Sequence, residues 1–133
     1  MRFFLDNCLS PRYAKSLHEL SERDGHEVTH LKDKFDRSTT DPVWIRQLGE
    51  EKDWVIVSGD TRIIKTPQLK AEWLSSGLTA FFLSPRWMHV KYWPQISMLL
   101  RWWPNILEQA SLVERGAGFE VPYQPPGRLK VIR

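Results

Sequence analysis

Met1-Arg-Phe-Phe-Leu-Asp-Asn-Cys-Leu-Ser-Pro-Arg12 carries the feature around which the other segments fall into place. Its apolar, aromatic run is short, as a buried strand requires, and it stops at Asp6. Ser10 and Pro11 then mark a helix start, Ser as a favoured cap and Pro as a favoured first residue. Asp6 is therefore expected at the carboxyl end of a first strand, beside a helix N-terminus. In open parallel α/β sheets that edge is where ligands and chemistry collect. A carboxylate there is costly to desolvate unless it meets a cation or a donor. The plain alternative is that Asp6 only accepts bonds from turn amides.

Outward from this stretch the pattern repeats. Tyr13, Ala14, Leu17 and Leu20 fall at helical spacing opposite Lys15, His18, Glu19 and Glu22, and Gly25 ends that helix. His26-Glu-Val-Thr-His-Leu31 alternates as a second strand; two histidines without a third ligand are poor evidence for a metal. Residues 32–40 read as a polar loop. Asp41-Pro42 opens a second helix with Trp44, Ile45 and Leu48 inward; Asp41 is its cap or lies in its first turn, with Thr39 and Thr40 as other caps. Trp54-Val-Ile-Val57 has the continuous pattern of a central parallel strand, and it runs into Ser58-Gly59-Asp60-Thr61, a second acid at a strand end. Thr66-Pro67 starts a helix carrying Leu69, Ala71, Trp73 and Leu74, stopped by Gly77. Leu78-Thr-Ala-Phe-Phe-Leu83 is a fourth strand, and residues 86–92 are a loop or helix lead-in. Trp93, Ile96, Leu100, Trp103, Leu107 and Ala110 then mark a long helix that Pro104 should kink or split. An aromatic stripe of this kind reads as core. Residues 119–121 read as an edge strand, and residues 123–133 as a C-terminal arm, packed on a partner or loosely held.

The bulk composition sets limits. A chain of 133 residues fits one domain with a real core and little more. No stretch approaches the ~20 apolar residues of a membrane span. The absence of a charged-then-apolar leader argues against secretion. The single cysteine, Cys8, excludes an internal disulfide and a Cys-based zinc site, which points to a cytoplasmic setting. A net charge of +3 against 16 acids permits a nucleic-acid partner without requiring one.

Strands alternating with helices imply right-handed crossovers and a parallel sheet covered on both faces. The ends of strands one and three and the start of the second helix then converge, bringing Asp6, Asp41 and Asp60 together. Carboxylates held close repel one another, so an ionised cluster argues for a bound cation. Oxygen ligands without Cys or paired His favour Mg²⁺ or Mn²⁺, ions suited to phosphate-ester hydrolysis. Arg12, Arg62 and Lys65 lie near the same ends and are candidate phosphate contacts.

The segments Leu5-Asp-Asn-Cys-Leu-Ser-Pro-Arg12, Gly25-His-Glu-Val-Thr-His-Leu31, Thr40-Asp-Pro-Val-Trp-Ile45 and Val57-Ser-Gly-Asp-Thr-Arg62 resemble those of a PIN-like domain. The pattern is most similar to the PIN-like toxins of VapC-type toxin–antitoxin pairs, with Gly77-Leu-Thr-Ala-Phe-Phe-Leu83 and Arg101-Trp-Trp-Pro104 adding to the likeness. It covers roughly residues 1–122, leaving the arm outside. The resemblance implies a three-layer α/β/α fold and a metal-dependent endoribonuclease acting as a toxin, with a protein antitoxin as partner. On it, Asp6 and Asp60 bind the metal, and Asp41 binds it or orients the attacking water. Asn7 and Thr61 are donors behind them, and Arg12, Arg62 and Lys65 hold phosphates. Trp87 and the arm are candidate surfaces for the antitoxin or for a second copy of the chain. PIN nucleases usually have a fourth acid shortly after the third; Thr61-Arg62-Ile63 has none, and Glu72 is too far along its helix. The rival readings are a non-catalytic PIN-like module that binds nucleic acid or protein, and a receiver-like phosphoacceptor built on Asp60 and Ser84.

Overall fold

A computed structural model describes residues 1–132. The first strand, β1 (Arg2–Leu5), is followed by helix α1 (Pro11–Ser21), β2 (Glu27–His30), the single turn α2 (Leu31–Lys34), and α3 (Asp41–Glu51). Then come β3 (Trp54–Ser58), the single turn α4 (Arg62–Lys65), α5 (Pro67–Ser76) and β4 (Thr79–Leu83). A 3-10 turn at Pro85–His89 leads to α6 (Tyr92–Leu112), β5 (Gly118–Val121) and β6 (Lys130–Ile132). The strands form one sheet in the order β2-β1-β3-β4-β5-β6, parallel throughout except for antiparallel β6.

Alternation along the strands sorts the side chains into two cores, as a two-residue period demands. Phe3, Leu5, Val55, Val57, Phe81 and Leu83 face α1 and α6. Phe4, Trp54, Ile56, Ala80 and Phe82 face α3 and α5 with Trp44, Ile45, Leu48 and Trp73. The result is the three-layer α/β/α arrangement with a mainly parallel sheet that the sequence pattern implies. No helix among the described residues is long and apolar enough to cross a membrane.

Local signals act where expected. The Ser10 side chain accepts from the Arg12 N–H at 3.1 Å, with Pro11 in the first turn of α1. Asp41 lies in the first turn of α3, and Thr40 precedes it as the cap residue without a side-chain bond. Gly77 closes α5 at φ 69°, a left-handed value that favours glycine.

Several expectations give way to tertiary packing. Leu20 is 59% exposed, and Ser21 takes the inward place because its hydroxyl accepts the Trp103 Nε1–H at 2.8 Å. The stretch read as a loop at 32–40 begins with α2, capped by His30, whose Nδ1 accepts from the Lys32 N–H at 3.1 Å. The other ring nitrogen meets the Leu9 carbonyl at 2.7 Å, which fixes His30 as a buried structural group. In α5 only Trp73 is buried, and Leu74 faces solvent.

Helix α6 runs unbroken through Pro104 and presents Ile96, Leu99, Trp102, Trp103, Ile106 and Ala110 to the core, while Trp93 and Leu100 are exposed. Both adjacent tryptophans turn inward because each indole N–H finds an acceptor, Gln124 O for Trp102 and the buried Ser21 Oγ for Trp103, both at 2.8 Å. Trp87 is fully buried and donates to Val121 O at 2.9 Å, so it is core rather than a contact surface. Residues 119–121 lie one place inside the edge, because Lys130–Ile132 pairs beyond them. Of the expected arm, Tyr123 packs edge-on against Trp87 at 5.0 Å, and Arg133 lies outside the described residues.

Candidate active site

The order β2-β1-β3 makes the chain leave β1 in one direction for β2 and return to its other side for β3. Between the carboxyl ends of β1 and β3 such a switch opens a crevice. Leu5 pairs with Val57, so the next residues, Asp6 and Ser58, face each other across the two strands. The Ser58 hydroxyl donates to Asp6 Oδ2, and the Cys8 N–H donates to Asp6 Oδ1 at 3.1 Å. Asp60 follows β3 by two residues, and its own N–H donates to Ser58 Oγ at 2.9 Å. One serine thus ties two acids to the same strand end. Asp41 arrives from the other side on α3, held by the Trp44 Nε1–H on Oδ1 at 3.0 Å. The three acids share the lining of a cleft of about 500 Å³ with Asn7, Cys8, Thr40 and Arg62.

Each acid is held differently. Asp6 is only 3% exposed. Burial pushes its pKa up to about 6 against the Ser58 and Cys8 bonds, with the charges of Asp60 and Asp41 adding to the rise. Asp41 is also raised, first by burial and then by Asp60, with the Trp44 donor and Arg62 opposing. Asp60 goes the other way, lowered chiefly by Arg62. That arginine forks over the carboxylate, Nε to Oδ1 at 2.9 Å and Nη2 to Oδ2 at 2.6 Å, and its backbone N–H donates to Oδ1 at 3.0 Å. Its Nη2 also lies 3.7 Å from Asp41 Oδ2. The cluster therefore contains a cation of its own. Partial burial and the neighbouring acids push the Cys8 thiol up to about 12, which disfavours its thiolate.

The candidate residues are thus partly gathered and partly not. Asp6, Asp41, Asp60, Asn7 and Arg62 line one cleft. The Asn7 amide is turned to the Arg37 carbonyl at 3.5 Å. Thr61 sits at the start of α4 between Asp60 and Arg62. Arg12 and Lys65 are exposed, on the first turn of α1 and the end of α4. Glu72 is engaged by Arg46 at 2.6 Å in a different hollow. Two contributors were absent from the sequence-level site, Ser58 and Trp44. Ser58 had a signal: a hydroxyl at the buried end of an otherwise apolar strand needs a partner. Trp44 had none, since a tryptophan on an apolar helix face reads as core.

The donor set suits a hard divalent cation in kind: three carboxylates, one of them buried against its preference for charge. In placement, no group of three or more His, Cys, Asp and Glu side chains among the described residues is arranged to hold a metal ion. Arg62 lies between Asp60 and Asp41 instead.

A family model described as a PIN like domain matches residues 1–85, a span that includes all three acids, Ser58 and Arg62. No curated protein and no solved structure matches the chain.

Proposed function

The chain belongs to the PIN-like domain family, whose members are generally nucleases, and from that premise we propose that it is a metal-dependent endoribonuclease. The observation that carries this reading is the meeting of Asp6, Asp41 and Asp60 in one cleft at the carboxyl edge of the sheet. A Mg²⁺ or Mn²⁺ ion bound there would supply charge stabilisation at the phosphoryl oxygen and an activated water. Asp6 and Asp60 are its expected holders, with Asp41 as a further ligand or the acceptor that orients the water. The chain's own residues do the rest. Ser58 ties Asp6 and Asp60 to one strand end, Trp44 orients Asp41, and the exposed Arg12 and Lys65, which do not line the cleft, are the proposed contacts for flanking phosphates.

The biological setting we propose is that of a toxin held in check by a protein antitoxin, with a cytoplasmic RNA as substrate. The family's frequent use as toxins supports it. A second reading is favoured by one observation: Arg62 covers Asp60, and the stretch Thr61-Arg62-Ile63 carries no acid of its own. On that reading the protein is a non-catalytic module that binds RNA or a protein through the same rim.

Incubation of a mixed-sequence RNA with the protein in Mn²⁺ or Mg²⁺ separates the two. Cleavage that EDTA abolishes and that Asp60→Asn lowers by roughly a hundredfold or more is expected, given that even outer partners of metal ligands are worth 10–100-fold. Cleavage unaffected by Asp60→Asn would sink the nuclease assignment.

A further inference from the structure

Arg62 is built unlike a passive surface arginine. Its fork and its backbone N–H together occupy both carboxylate oxygens of Asp60, and the same Nη2 reaches towards Asp41. Yet 75% of its side chain is exposed, at the mouth of the cleft rather than in its floor. Asp60 itself is only 9% exposed, so the pair is open to water, and to an incoming anion, on its arginine side alone. The oxygens it covers are the ones a cation in the cleft would need. A guanidinium and a divalent ion cannot share Asp60 Oδ2, for reasons of space and of like charge. The planar fork of arginine fits a phosphodiester as well as it fits a carboxylate.

We propose that Arg62 is an exchangeable internal cation that couples metal binding to RNA binding. Without RNA it sits on Asp60 and Asp41 and keeps the divalent ion out. When a phosphodiester reaches the mouth of the cleft, the guanidinium transfers to the phosphate and uncovers the two carboxylates. Metal and RNA then bind cooperatively, each raising the affinity of the other by the same factor. Arg62 is on this account a positioning residue. The inference rests on the reading of the cleft as a metal-dependent nuclease site.

The test reads binding, not cleavage. Mn²⁺ is titrated into wild type, Arg62→Gln and Arg62→Lys by calorimetry, with free Mn²⁺ followed by electron paramagnetic resonance. Each titration is repeated in the presence of a 2′-O-methyl oligouridine of about ten nucleotides, enough for one single-strand site. Without the oligomer, Arg62→Gln is expected to bind Mn²⁺ about tenfold tighter than wild type, and Arg62→Lys to lie between them. The oligomer is expected to tighten Mn²⁺ binding to wild type by roughly 5–150-fold, the usual span of such coupling, and to tighten it in Arg62→Gln by a clearly smaller factor, the part that comes from direct contact of the ion with the phosphate. Arg62 is exposed, so all three proteins should fold alike, and far-UV circular dichroism checks this. Wild type that binds Mn²⁺ as tightly as Arg62→Gln overturns the exchange and leaves the metal reading standing. Coupling as large in Arg62→Gln as in wild type also overturns it. Absence of Mn²⁺ binding in every titration, with and without the oligomer, removes the metal reading and this inference with it.

Discussion

Asp6→Asn should make the protein more stable while removing the nuclease activity proposed for it. The Asp6 carboxyl is buried and gives up its proton near pH 6 in the folded chain, against about 3.8 in the unfolded one. The difference is a little over two pH units, and at about 1.4 kcal/mol each it amounts to about 3 kcal/mol. The sign follows from which state holds the proton. Below pH 3.8 Asp6 is protonated in both states and contributes nothing. Between 3.8 and 6 the unfolded chain ionises while the folded chain resists, so stability falls as pH rises. Above about 6 the whole cost is present. An asparagine has no charge to bury, its carbonyl can still accept the Cys8 N–H, and its amide can donate to Ser58 Oγ. At pH 8 in EDTA, urea unfolding should therefore show Asp6→Asn more stable than wild type by about 1–3 kcal/mol, the ceiling reduced by imperfect amide geometry. The gap should shrink as pH falls and close near pH 4. A gap that stays constant between pH 4 and 8 would refute the reasoning, as would a variant less stable than wild type at pH 8. Stability gained by removing a charged site residue is the familiar trade between activity and stability.

Two further outcomes follow from packing. A methyl group at Gly118 would lie 2.4 Å from the Trp73 ring, which the Leu78 carbonyl pins through Nε1 at 2.8 Å. Gly118→Ala should therefore cost about 1–3 kcal/mol, the scale of overpacking. At Gly59 the clash is at 2.5 Å with the end of the Met88 side chain, which can swing away, so Gly59→Ala should cost under about 1 kcal/mol. Thermal unfolding that ranks the two in the opposite order would show that the wrong neighbour gives way. The face of α6 is tested in the same way: Trp93→Ala should shift stability by no more than about 0.5 kcal/mol, and Trp103→Ala should lower it by about 3–5 kcal/mol.

Much of the fold was legible because the signals were local and redundant. Trp54-Val-Ile-Val57 is apolar at every position and β-branched at three of the four, the pattern of a strand covered on both faces. Ser10-Pro11, Asp41-Pro42 and Thr66-Pro67 mark three helix starts by chemistry that acts within a few residues. Periodicity was weaker where two apolar neighbours competed for one face. In α6, spacing put Leu100 and Trp103 inward and passed over Trp102; the structure buries both tryptophans and exposes Leu100, with the distant acceptors Gln124 O and Ser21 Oγ taking the two indole N–H groups. Leu20 lost its inward place to Ser21 for the same reason. The pairing of Lys130–Ile132 with β5 depends on a return of the chain that no local pattern announces.

For the candidate site the division is similar. Sequence alone determined that Asp6 and Asp60 end strands and that Asp41 begins a helix, because strand and helix boundaries are set by nearby residues. It therefore determined that three acids collect at one edge of the sheet. Only the tertiary structure decided how each acid is held. The register of β1 against β3 placed Ser58 on Asp6. The approach of α3 brought Asp41 within reach of the arginine already forked over Asp60. Arg62, read from the sequence as a phosphate contact, became the cation of the cluster, because charge partners are chosen by distance through space.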